Sequence, residues 1–167
     1  MSTRWRVRRA EPAPHDVAAL TRLLVAFDDE FDTPHDGETI LAGRFERMLR
    51  GQQAFALLGT PLHGLAPVGF ALVTLRPAIW FDGPVATLDE FYVAPDHRGR
   101  GLGTEIFDAM RDELIDRGCP ELHVNVDEVD AGARRFYEGQ GLVNVERAED
   151  GRMLLFIGSV APGPDAA

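Results

Sequence analysis

Three glycines occupy alternate positions in the run Arg98-Gly99-Arg100-Gly101-Leu102-Gly103-Thr104. Because glycine has no Cβ, the backbone here can bend so that successive amide N–H groups converge on one anion. A helix that begins near Gly101 adds its unpaired N–H groups and the positive end of its dipole. The two arginines add charge-assisted donors. The run therefore predicts a cradle for a phosphate or pyrophosphate group.

Two carboxylates precede the cradle in a strand with irregular spacing. The apolar positions Leu88, Phe91 and Val93 are three and then two residues apart, whereas a regular strand places alternate residues on one face. The odd step calls for one extra residue, and we predict a β-bulge at Asp89–Glu90. Such a bulge interrupts the hydrogen-bond ladder and can turn a carboxylate into a cleft. The alternative is a solvated strand edge.

Two familiar phosphate-binding motifs do not fit the glycine run. A GxGxxG fingerprint that starts at Gly99 requires glycine where Thr104 stands, and a P-loop requires a lysine, which this chain lacks. The stretch resembles instead motif A of the GNAT superfamily of acyl-CoA N-acyltransferases, R/Q-x-x-G-x-G/A. Arg98, Gly101 and Gly103 occupy its fixed positions, after a V-x-P strand end.

A second segment, Asn125 to Leu142, resembles motif B of the same superfamily, N-x-x-A-x-x-x-Y-x-x-x-G-F. Two residues depart from the motif, since Asp130 replaces the usual asparagine and Leu142 replaces an aromatic residue. Helical spacing places Ala133 and Tyr137 one turn apart on one face, so that the small residue admits a thin ligand arm while the phenol reaches its sulfur. Tyr137 as an ordinary core residue is the alternative.

The resemblance implies a GNAT-like α/β fold, in which helices flank a mixed, mostly antiparallel sheet with a splayed middle that holds acetyl-CoA. It implies no metal. It also implies a cofactor-binding set made of strand backbone, cradle and motif B residues: Phe91, Tyr92, Val93, Arg98, Gly99, Arg100, Gly101, Leu102, Gly103, Thr104, Asn125, Asp130, Ala133 and Tyr137.

The implied reaction moves an acetyl group from acetyl-CoA to a primary amine by direct attack in a ternary complex. An alkylammonium has a pKa of about 10, so a base must remove its proton before attack. Glu90 is the first candidate and Asp89 the second. Backbone N–H groups around Phe91 to Val93 could stabilise the oxyanion, and Tyr137 could protonate the departing thiolate.

Composition narrows the choice of partners. The net charge of −10 and the pI near 4.9 argue against nucleic acid and against an anionic membrane, and they favour a small cationic amine such as a polyamine or an aminoglycoside. The acidic connector 28–38 could attract such an amine, although a solvated loop is the simpler interpretation. The single Cys119 and the absence of a signal peptide or membrane span predict a cytoplasmic protein.

The length of 167 residues predicts one domain, over residues 1–160, followed by a disordered terminal tail over 161–167. The predicted helices cover residues from 15 or 16 to 27, 39–50 and 101–117, and His15 or Asp16 is the predicted N-cap of the first. The predicted strands cover residues 5–9, 53–58, 67–75, 88–93, 121–126, 142–147 and 152–157.

Two other functions remain open at this point. The cradle could belong to a non-catalytic acyl-CoA-binding sensor or docking module, or the enzyme could acetylate the α-amine of a peptide or protein. Association into a homodimer is also left open.

Overall fold

The structure is a computed structural model that describes residues 4–157. The chain divides into two compact units, with the boundary between Val124 and Asn125. The tail predicted over 161–167 lies outside the described residues, and the single domain predicted over 1–160 stays a prediction. Within the described part of the chain, no helix is both long and apolar enough to span a membrane.

The first unit contains one sheet of five strands in the order β1-β2-β3-β4-β5. Neighbouring strands are antiparallel from β1 to β4, and β4 pairs with β5 in parallel. The predicted mixed, mostly antiparallel sheet is thus confirmed. The strands are β1 Trp5–Arg9, β2 Ala54–Pro61, β3 Gly69–Arg76, β4 Val85–Val93 and β5 Leu122–Val124.

Helices cover both faces of this sheet. They are α1 Pro14–Glu30, α2 Glu38–Arg50 and α3 Leu102–Asp116. Residues of α1 and α2 form a buried cluster with Phe70, Leu72 and Tyr92 of the sheet. The first turns of α3 pack on the opposite face, against Gly59 and Gly69.

The α3 helix approaches the sheet closely because two paired glycines leave room for it. Gly59 lies opposite Gly69 in the β2–β3 ladder. A Cβ atom on Gly59 would lie 2.6 Å from Cδ1 of Leu102 and 2.9 Å from Cδ1 of Ile106. Since Leu102 is the first residue of α3, this packing also fixes where the glycine run meets the helix.

The start of α1 differs from the prediction that His15 or Asp16 caps it. The N-cap is Ala13, and Pro14 is the first helical residue. Asp16 is buried instead, where its carboxylate accepts hydrogen bonds from Arg8 at 2.7 and 2.5 Å and from the Glu11 N–H at 2.9 Å. The hydrogen bonds from Arg8 hold the pKa of Asp16 below its usual value. The residue therefore ties α1 to β1.

The second unit contains helix α4, Ala131–Gly139, which carries motif B. The prediction of strands at 142–147 and 152–157 is wrong, because neither segment forms a strand. Their sequences favour strands, but a strand needs a ladder partner. In the described structure one backbone hydrogen bond joins the two segments, from the Met153 N–H to the Asn144 carbonyl, and a short 3-10 turn at Ala148–Asp150 lies between them. The side chains from Met153 to Ile157 are exposed.

The close approach of α3 yields a stability prediction. We expect Gly59→Val to lower the free energy of unfolding by about 1–3 kcal/mol, because the added atoms overpack the first turns of α3. Gly43→Ala is the matched control, since its Cβ makes an ordinary 3.7 Å contact with Arg47 inside α2. Urea unfolding of both variants measures the effect. Equal stability of Gly59→Val and wild type would show that α3 does not require this glycine.

Candidate active site

The predicted bulge is confirmed in β4. Glu90 lies opposite Leu72 and Leu88 lies opposite Val73, so Asp89 is the extra residue between them. The pair two residues further along, Tyr92 and Phe70, belongs to the cluster beneath α1 and α2. Because alternate residues share a face, Glu90 lies on the α1 side of the sheet with Tyr92.

The parallel ladder between β4 and β5 stops just before this bulge. Its pairs run from Ala86 and Leu122 to Leu88 and Val124, where β5 ends. The strand β4 continues to Val93 and pairs there with β3. Pairing between β4 and β5 therefore ends beside Asp89 and Glu90, and the predicted splay of the two strands stays a prediction.

Glu90 is half-buried, and its carboxyl is held in an unfavourable environment for charge. Burial, followed by the charges of Asp28 and Asp89, raises the pKa of Glu90 to about 7. A carboxyl with this pKa exchanges protons near neutral pH, as a general base must. Burial also raises the pKa of Asp28, which lies near the end of α1.

Asp89 lies in a different environment from its neighbour. The residue is exposed overall, although enough of its carboxyl is desolvated to raise its pKa. Hydrogen bonds from the side chain and backbone of Thr74 oppose that rise. Asp89 is therefore better solvated than Glu90, which makes Glu90 the stronger candidate for a base.

The glycine run has the backbone that an anion cradle needs. A short 3-10 turn at Pro95–His97 leads from β4 into it. Gly99 and Gly101 have φ angles of +66° and +91°, and Gly101 is the N-cap of α3, without a side chain that caps the helix. A Cβ on either glycine would meet no atom within 4 Å. These residues fit the pyrophosphate of acetyl-CoA, because open space adjoins helix N–H groups.

The remaining residues of the run differ in their placement. Arg100 and Thr104 are exposed, whereas the Leu102 side chain is buried under the sheet, so that only its backbone can face a ligand. Arg98 donates from Nη1 and Nη2 to the Glu30 carboxylate and from Nε to the Val93 carbonyl. The arginine predicted to bind phosphate thus also has a structural role.

Sequence reasoning missed the residue that anchors the run. Trp5, at the start of β1, donates a hydrogen bond of 3.1 Å from Nε1 to the Arg100 carbonyl. Its ring also meets His97 edge to face, with the ring centroids 5.8 Å apart. Only the alternation that predicts β1 marks this tryptophan in the sequence, and alternation does not reveal its partner.

In the second unit, Asp130 caps helix α4. Its Oδ1 accepts a hydrogen bond of 2.8 Å from the Ala133 N–H, so the residue that departs from motif B serves the helix backbone. Tyr137 lies one turn further along, with its ring edge-on to Phe136. Burial, and then the charge of Asp130, raises the pKa of Tyr137 well above its usual value. The phenol therefore keeps its proton at neutral pH. Asn125 is exposed.

Known proteins are similar to this chain in sequence and in fold. A protein from Arthrobacter sp. FB24, described as an acetyltransferase, is 38% identical, with a TM-score of 0.85 over 96% of this chain and 98% of that one. An aminoglycoside acetyltransferase from an uncultured soil metagenomic sample shares the fold, with a TM-score of 0.73 at 15% identity over 94% and 97% of the two chains. The thialysine N-epsilon-acetyltransferase of Bos taurus is 28% identical over 96 residues, which are 58% of this chain.

The match to the Bos taurus protein covers 56% of its length, so the chain spans just over half of the curated relatives that it matches. Residues 18–142 match the Acetyltransferase (GNAT) family, and they include the bulge, the glycine run and motif B. The family that motifs A and B predict is therefore confirmed: the chain belongs to the acetyltransferase (GNAT) family.

Proposed function

We propose that the protein transfers an acetyl group from acetyl-CoA to the primary amine of a small cationic acceptor of polyamine or aminoglycoside type. Acetyl-CoA is the acyl donor of the family. The observation that carries the proposal is Glu90, a half-buried carboxyl with a pKa of about 7 that lies just beyond the end of the ladder between β4 and β5. A sensor that only binds acyl-CoA needs no such base.

The donor side consists mainly of backbone N–H groups. Acetyl-CoA supplies an activated thioester. The N–H groups of the glycine run and of the first turn of α3 would hold its pyrophosphate, with the exposed Arg100 adding a charge-assisted donor. The edge of β4 beyond Leu88 would provide N–H groups for the oxyanion.

The acceptor side is acidic. Asp28 and Asp89 both add negative charge near Glu90, which favours an ammonium group over a neutral amine. Glu90 then accepts the proton of that ammonium, directly or through water, which frees the nitrogen lone pair for attack on the carbonyl carbon. We assign protonation of the thiolate, as the carbon–sulfur bond breaks, to the phenol of Tyr137, which keeps its proton at neutral pH.

The relatives agree with an amine acceptor. One acetylates the epsilon nitrogen of thialysine by name, and another is named for aminoglycosides. A net charge of −10 matches cationic molecules of this kind. The first three residues of the predicted acidic connector, 28–30, belong instead to the last turn of α1, and the charge of Asp28 in that turn acts on Glu90.

The test is thiol release from acetyl-CoA in the presence of an amine panel. The panel contains a diamine, a polyamine, thialysine, an aminoglycoside, a neutral amine and a peptide with a free α-amine. We expect turnover with the cationic small amines. Binding of acetyl-CoA without turnover on any amine would support the sensor, and turnover on the peptide alone would support an α-amine acetyltransferase.

We expect Gly101→Ala to weaken acetyl-CoA binding. The added Cβ enters the open space beside the helix N–H groups, and a positive φ disfavours a non-glycine residue. Calorimetric titration with acetyl-CoA measures the affinity. Gly37→Ala is the control, because Gly37 is the N-cap of α2 with a φ of +85° and a similarly open surrounding. Unchanged affinity in Gly101→Ala would remove the run from the donor site.

We expect Glu90→Gln to lower kcat/KM for amines by about 10²–10⁴-fold, because the amide cannot accept the proton. In the wild type, activity rises with pH as Glu90 ionises near pH 7, and this limb should disappear in the variant. Asp89→Asn is the matched control and should cost less than about tenfold. A larger loss of kcat/KM in Asp89→Asn would assign the role of the base to Asp89. If neither variant lost activity, water would be the group that accepts the proton.

We expect Tyr137→Phe to keep the fold and acetyl-CoA affinity and to lower kcat. Phenylalanine retains the ring and removes the proton donor, so only departure of the thiolate should suffer, by about 10²–10⁴-fold where that step limits the rate. Steady-state kinetics and a melting curve check both parts. A loss of activity that merely follows a lower melting temperature would make Tyr137 a packing residue.

A further inference from the structure

An ion pair joins the last residue of α1 to the first residue of motif A. Arg98 donates from Nη1 to Oε1 and from Nη2 to Oε2 of Glu30, each at 2.7 Å. It also donates from Nε to the Val93 carbonyl at 2.7 Å. One guanidinium therefore connects α1, the end of β4 and the start of the glycine run.

Aromatic rings support this contact. The Arg98 Cζ atom lies 5.5 Å from the centroid of the Tyr92 ring, and Tyr92 stacks on Phe27 of α1 with the centroids 5.2 Å apart. Tyr92 also hydrogen-bonds to Glu30. The Glu30 side chain is 27% exposed and that of Arg98 is 43% exposed, so the pair is partly shielded from water. Its bidentate geometry distinguishes it from a loose surface ion pair.

Glu30 needs this partner because α1 ends in the sequence Asp28-Asp29-Glu30. Negative charge at a helix C-terminus is unfavourable, and the last turn of α1 has no basic residue. Arg98 supplies positive charge from another part of the chain and holds the pKa of Glu30 below its usual value. The same turn carries Asp28, whose charge acts on Glu90.

We propose that Glu30 is a positioning residue that acts by holding Arg98. The ion pair keeps the last turn of α1, which carries Asp28, against the strand that carries Glu90. It also keeps the glycine run in its position. The inference rests on the proposed function, which assigns the run to the donor and Asp28 with Glu90 to the acceptor. The charged groups that act on Glu90 are Asp28 on α1 and Asp89 on β4. If the last turn of α1 is released, the effect of the Asp28 charge on Glu90 changes, whereas that of the Asp89 charge remains.

Glu30→Gln tests the role because it keeps the size of the side chain and removes the charge that Arg98 binds. Glu46→Gln is the matched control, since Glu46 forms an exposed ion pair with Arg50 within α2, at 2.7 and 3.2 Å. Three quantities are measured for each variant: the affinity for acetyl-CoA, the pH dependence of kcat/KM for the best amine of the panel, and the melting temperature.

We expect Glu30→Gln to weaken acetyl-CoA binding by about threefold or more. We expect kcat/KM to fall by at least about tenfold, because a misplacement of about 1 Å can cost about 100-fold. The acidic limb of the pH profile should move to lower pH, since Glu90 loses the repulsion of Asp28. Glu46→Gln should leave all three quantities unchanged. Glu30→Asp, which keeps the charge, should recover part of the loss and also serves if Glu30→Gln folds poorly.

A double variant separates positioning from a general loss. In an Arg98→Met background, Glu30→Gln should have little further effect, because its partner is already absent. Additive losses in the double variant would overturn the proposal. A Glu30→Gln variant that matches Glu46→Gln in affinity and pH profile would also overturn it, as would losses that only follow the melting temperature.

The outcomes for this inference and for the proposed function differ. If the wild type releases no thiol with any amine, the proposed function fails, and the acetyl-CoA affinities of the two variants still decide the role of Glu30. If the wild type is active and Glu30→Gln equals the control, the proposed function stands and this inference is wrong. A wild type that binds no acetyl-CoA would overturn both.

Discussion

One extra residue in β4 is the constraint on which the candidate site depends. With Asp89 inserted, Leu88 and Phe91 share the face that packs on α3, while Glu90 and Tyr92 lie on the α1 face. In a regular strand that keeps Leu88 in place, Glu90 would enter the α3 core. The same irregularity lies where β5 stops pairing with β4. The bulge thus provides both a carboxylate and a strand edge at one point.

The environment that raises the pKa of Glu90 also lowers the stability of the folded protein near neutral pH. The pKa of Glu90 is raised above its ordinary value, so the folded protein holds a proton that the unfolded chain has released. The native state therefore loses stability as the pH rises from the ordinary pKa of glutamate towards 7. The opposite holds for Asp16, whose lowered pKa contributes stability that is lost as the pH falls. Among the described residues, the carboxylate of Asp16 is paired with Arg8, whereas the charges that shift the pKa of Glu90, the proposed base, are both negative.

Local patterns predicted the features that depend on local sequence. The three-residue step before Phe91 revealed the bulge, and the glycine spacing revealed the turn before α3. Contacts between residues far apart in the sequence could not be predicted from such local patterns. Nothing near Arg98 identifies Glu30, which lies 68 residues away, and Trp5 lies 95 residues from the carbonyl that it binds. The segment 142–157 has strand-forming residues, but propensity alone does not supply the neighbouring strand that a ladder needs.

The central claim is that the bulge holds Glu90 as a base that works near neutral pH. The most direct test is a titration of the Glu90 carboxyl by carbon NMR in the free enzyme, with glutamate labelled at the side-chain carboxyl and the signal assigned by its loss in Glu90→Gln. We expect a midpoint near 7. A midpoint at the ordinary value for glutamate, about 4.3, would show that the carboxyl is solvated and that Glu90 is not held as such a base.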